Sequence, residues 1–91
     1  MEEFLKELGI EKKGTISREG NYVVDLKDFS EYDKYFNILD KAADADKIEV
    51  SQDNTLITYE ATNLTYLSDK YQIQLLGDLD SDVYKIVVTE F

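Results

Sequence analysis

The sequence predicts an α+β fold. Residues 1–91 read as one small globular domain, in which an antiparallel sheet of about four to six strands carries one main helix, about residues 28–45, and a short N-terminal helix on one face. Three observations lead there. Ninety-one residues suit one modest core, because a chain of this size buries only about 60 to 65% of its unfolded surface. A hydrophobic content of 43%, with seven Tyr and four Phe, can offset the entropy of ordering despite the acidity. The apolar period also alternates between helical and strand-like in the order α-ββ-α-ββ-ββ.

The first helix is expected at Glu2 to Leu8, with Phe4, Leu5 and Leu8 on one side, acids in the first turn and Gly9 as its stop. A helix so short is marginal alone and must dock. Thr15 to Arg18 and Tyr22 to Leu26 then form a hairpin about Glu19-Gly20-Asn21, with Tyr22, Val24 and Leu26 on one face. In DFSEYDKYFNILDKAADAD, Asp28 and Glu31 have capping-box spacing. Phe29, Tyr32, Phe36, Leu39 and Ala43 form the apolar stripe of a helix of about four turns. A second hairpin is expected around Asp53-Asn54, with Ile48 and Val50 before it and Ile57, Tyr59 and Ala61 after it. Residues 62–69 fit either a short helix capped at Thr62 or Asn63 or a loop. Tyr71, Ile73 and Leu75 alternate with glutamines in a strand with one wet face, and Tyr84 to Val88 forms a more buried last strand.

Charge narrows the choice of partner. Twenty acids against ten bases leave a net charge of −10, spread along the chain: residues 1–46 carry 12 acids and 7 bases, residues 47–91 carry 8 and 3. The sign opposes direct binding to nucleic acid or to an anionic membrane. The absence of Cys and His removes the disulfide framework, the thiolate nucleophile and the usual zinc and iron–sulfur ligand sets, together with the commonest general base. MEEFLKELGI lacks the apolar core of a signal peptide, and no run approaches the roughly 20 apolar residues of a spanning helix, so a cytoplasmic location is expected.

Among possible motifs, LGDLDSDV at residues 76–83 places Asp78, Asp80 and Asp82 like the first, third and fifth ligands of a calcium loop. The pattern then breaks, with Val83 where the loop must turn and Thr89 where a bidentate Glu belongs. A hairpin turn, with Gly and Asp supplying the special backbone angles, is the expectation, and no metal or cofactor is. Glu31, Glu49 and Glu60 are candidate catalytic carboxylates by residue type alone, and a domain with one thin core has little room for a cleft that excludes water, so no catalytic residue is expected. The sequon Asn63-Leu64-Thr65 carries no meaning without a secretory route. Seven Tyr without Lys/Arg rails suggest core packing, for Tyr22, Tyr32, Tyr59 and Tyr71, rather than base stacking.

What remains is the acidic surface. Asp33, Asp40 and Asp44 recur on the wet side of the main helix. Asp46, Glu49, Asp53, Glu60, Asp78, Asp80 and Asp82 extend the candidate protein-binding surface, with no base between Lys47 and Lys70. Helical spacing separates such carboxylates by roughly 6 to 10 Å, comparable with phosphates along a nucleic-acid strand. In size, acidity, a single Arg and mixed αβ pattern, the chain resembles small phage-encoded inhibitors that mimic DNA, such as anti-CRISPR proteins and the uracil-DNA glycosylase inhibitor. The resemblance implies a non-enzymatic inhibitor acting inside a bacterial or phage-infected cell, whose partner is a protein with a basic, nucleic-acid-binding surface. Three other accounts stay open at this point. They are an immunity or antitoxin partner of a basic toxin, an interaction domain of a phage or bacterial assembly, and charge that serves solubility alone. The oligomeric state is open between monomer and dimer.

Overall fold

The computed structural model describes residues 1–51, 56–57 and 61–91. The elements run α1 (Glu2–Leu8), β1 (Thr15–Ile16), β2 (Tyr22–Leu26), α2 (Phe29–Asp44), β3 (Glu49–Val50), β4 (Leu56–Ile57), β5 (Ala61–Leu67), β6 (Tyr71–Asp78) and β7 (Val83–Glu90). Strand order is β1-β2-β7-β6-β5-β3, with β4 also on β5 and every pairing antiparallel. The expected α+β architecture is the one observed, with both helices packed on one sheet face.

Each helix starts and stops for identifiable reasons. Gly9 ends α1 in the left-handed region at φ 101°, its N–H donating to the Lys6 carbonyl at 3.0 Å while Ile10 N–H donates to Leu5 at 2.8 Å. Asp28 caps α2 by accepting from Glu31 N–H at 3.0 Å, and the Glu31 carboxylate reaches back to Lys27 N–H, also at 3.0 Å. The apolar side of α2 differs from expectation. Tyr32, Tyr35, Leu39 and Ala42 are buried, Phe36 and Ala43 only partly so, and Phe29 is 52% exposed. The buried side is thus rotated toward Tyr35 and Ala42, which lets Ile38 meet α1 at Gly9.

Alternation along the strands sorts the sheet into two faces. Tyr22, Val24 and Leu26 of β2 align through the register with Val88, Ile86 and Tyr84 of β7. These align in turn with Ile73, Leu75 and Gly77 of β6, and Tyr66 of β5 lies opposite Ile73. These side chains close on Leu5, Leu8, Ile10 and the buried side of α2 to form the core, within which Tyr22, Tyr32, Tyr35, Tyr66 and Tyr84 are all at most 6% exposed. A Tyr can sit in so thin a core because its hydroxyl reaches the rim: Tyr22 accepts from Gly14 N–H at 2.7 Å. The opposite face aligns Val23, Val87 and Gln74 with Thr65, and Asp25 with Lys85, away from both helices.

Two expectations in the middle of the chain are corrected. Residues 61–67 are neither helix nor loop but the full strand β5, because Leu64 and Tyr66 share the inward face and the run is rich in β-formers. Among the described residues the second hairpin is not seen as expected: β3 and β4 each pair with β5, and no described pairing joins them to each other. Its turn at Asp53-Asn54, and Tyr59, lie outside the described residues.

Leu39 is 0% exposed at the centre of α2. Leu39→Ala should cost about 2 to 5 kcal/mol, read as a lower denaturant midpoint with an unchanged slope. A loss under about 1 kcal/mol would mean that α2 is not seated as described.

Candidate functional site

No polar or charged side chain is buried among the described residues, so every described carboxylate lies at or near the surface. Three groups emerge. Along α2, Asp33, Asp40 and Asp44 are exposed, and steps of seven and four residues return to nearly the same side of a 3.6-residue helix. Lys34 and Lys41 fall about 100° round the helix from this line. Lys34 lies 5.4 Å from the ring centre of Tyr35. Burial, followed by the negative charge of Asp40, pushes the Tyr66 hydroxyl up to about 12.

The second group is the β6–β7 turn. Asp78 accepts from Asp80 N–H at 3.0 Å and from Ser81 N–H at 3.3 Å, and these bonds, with the Ser81 hydroxyl foremost, hold its carboxyl below the usual range. The special backbone angle falls on Asp82, at φ 55°, and not on Gly77, which sits within β6 opposite Tyr84. Asp78 and Asp82 are therefore explained by turn geometry, and Asp80 contributes only charge. The turn is brought beside the start of α2: burial first, then Asp82, Asp78 and Asp28, raise the Tyr84 hydroxyl. Asp28, which sequence reasoning treats only as a cap, thereby joins the surface. The exposed Phe29 stacks against Tyr32, with ring centres 5.7 Å apart, and meets Tyr84 edge-on at 6.0 Å.

At the far end of α2, Asp46 and Glu49 line a groove together with Asp69 of the β5–β6 turn. Asp46 is exposed and left-handed at φ 59°. Asp69 is a second residue that the sequence reading did not select, since only the hairpin closure at Ser68–Tyr71 brings it beside Glu49. Asp53 and Glu60 lie outside the described residues. The candidate carboxylates thus form a line along α2 with one cluster at each end, rather than a single patch.

Neutralisation is scarce. The described residues hold one ion pair, Lys12 to Glu31, on the side of α2 opposite the Asp line. Lys12, then the Lys27 backbone, lower the Glu31 carboxyl below its ordinary value of 4.5. Among the described residues no three carboxylates converge to hold a metal ion, and no helix is long and apolar enough to cross a membrane. No protein-family model matches the chain, and neither a curated protein nor a solved structure is detectably similar to it.

Because the Glu31 pKa is depressed in the folded state, its contribution is complete above 4.5 and is lost as pH falls through the lower folded value. Glu31→Gln should therefore lower the urea midpoint at neutral pH and converge with the parent protein in strong acid; a constant gap would refute the linkage. Screening should also relieve the repulsion among the unpaired carboxylates, so the melting temperature is expected to rise between low and moderate NaCl. A flat or falling profile would mean that local pairs already balance the charge.

Proposed function

We propose that this chain is an acidic, non-enzymatic inhibitor that occupies the nucleic-acid-binding surface of a nuclease or another DNA or RNA enzyme, in the manner of anti-CRISPR proteins. The observation that carries the reading is the exposed line Asp33, Asp40, Asp44 on one side of α2, away from the single ion pair of the described residues. Its axial steps of about 10 and 6 Å correspond to three and two nucleotide steps of about 3.4 Å along a duplex strand. From Asp28 to Asp44 the helix covers about 24 Å, or roughly seven such steps, and acids stand at both ends.

A Lys/Arg channel built for phosphates would meet carboxylates at comparable intervals, and field-driven steering would speed the encounter while added salt slows it. The host would be a bacterial cell, with the inhibitor in its cytoplasm. A monomer suffices for this action.

Displacement of labelled duplex DNA provides the test. The proteins to challenge are a guide-charged CRISPR effector nuclease, a uracil-DNA glycosylase and a basic toxin nuclease. The chain should release DNA from at least one of them at submicromolar concentration. Asp33→Asn/Asp40→Asn/Asp44→Asn should weaken release about tenfold or more, and the chain alone should bind no DNA at physiological salt. Direct DNA binding by the chain, or equal potency of the triple variant, would defeat the reading.

A further inference from the structure

A groove of about 460 Å³ opens between the α2–β3 connection and the β5–β6 turn, at the end of the molecule away from the aspartate turn. That volume lies in the range of sites for small ligands or single side chains. Its apolar wall is the pair Phe4 and Tyr71, stacked with ring centres 4.5 Å apart and both only half-buried. Ile48, 3% exposed, also lines it. The carboxylates of Asp46, Glu49 and Asp69 are exposed around it. Of the two bases on its lining, Lys47 is drawn off toward the end of α1, where its ammonium donates to the Glu7 carbonyl at 3.1 Å.

The arrangement favours one kind of cation. A metal ion or a compact ammonium wants acceptors converging on a point, and among the described residues no three carboxylates do so. Spread carboxylates beside an aromatic wall suit a flat cation whose donors fan outward and which sheds water easily, and that is a guanidinium. We propose that this groove receives an arginine side chain of a protein partner, packed against Phe4 and Tyr71 and hydrogen-bonded by Glu49 and Asp69. The source of the arginine rests on the functional reading above; the chemistry of the groove does not.

Hexa-arginine and hexa-lysine peptides, titrated at matched ionic strength into the isotope-labelled full chain and followed by NMR, test this directly. Hexa-arginine should give saturable shifts concentrated at residues 46–49 and 67–71 and bind about fivefold tighter than hexa-lysine. Glu49→Gln/Asp69→Asn should weaken it about tenfold, whereas Glu11→Gln/Glu19→Gln, of the same charge change, should leave it within about twofold. Glu49, Asp69, Glu11 and Glu19 are all exposed, so these variants preserve the core. Equal affinity for the two peptides, shifts spread evenly along α2, or an unaffected Glu49→Gln/Asp69→Asn variant would overturn the proposal. Groove binding by a chain that displaces no DNA would support the site and reject the functional reading. DNA displacement by a chain with a silent groove would reject the site alone.

Discussion

The rest of the molecule depends on α2 lying across β2, β7 and β6. Within the core that this contact shares with α1, Leu39, Val24, Ile73, Leu75, Ile86 and Val88 are completely buried. The contact also sets the rotation of the helix. Once Tyr32, Tyr35, Leu39 and Ala42 point at the sheet, Asp33, Asp40 and Asp44 are carried to an exposed side. The acidic line is thus a geometrical result of the core.

The same contact accounts for the uneven charge. A two-layer domain with one shared core offers nowhere to bury a carboxylate without a large desolvation cost, and no described one is buried. The described acids must share the rim with far fewer bases, and the single ion pair of the described residues, Lys12 to Glu31, forms away from the Asp line. Solubility does not require that bases stay away from one helix side. A surface that meets an array of cations benefits from it, since each internal pair would have to break on binding.

Elements with strong local signals were legible in the sequence: Asp28 and Gly9 as helix boundaries, Tyr22 to Leu26 as an alternating strand, and the turn at Asp78 to Asp82 before the last strand. What was not legible depended on tertiary pairing. Residues 61–67 carry Thr and Asn that cap helices as readily as they line strands, and only pairing with β6 decides between the two. Phe29 reads as core by spacing, yet it sits in the first turn at the rim of the sheet, where it meets Tyr84 edge-on and stays half exposed. Of the candidate carboxylates, those on α2 followed from helical period. The union of Asp28 with the β6–β7 turn, and of Asp69 with Glu49, joins positions distant in sequence and has no local signature.

The placement of β7 bears on how the molecule assembles. It is the last strand in chain order, yet it lies between β2 and β6, and Val24 finds its partner at Ile86. Local contacts within α2 and the β6–β7 hairpin are entropically cheap, whereas joining β2 to β7 closes a loop that holds α2 and most of the sheet. During synthesis, β2 and the buried side of α2 therefore wait without their central neighbour until residues 83–90 emerge. The many negative charges along the waiting chain then help keep nascent copies apart.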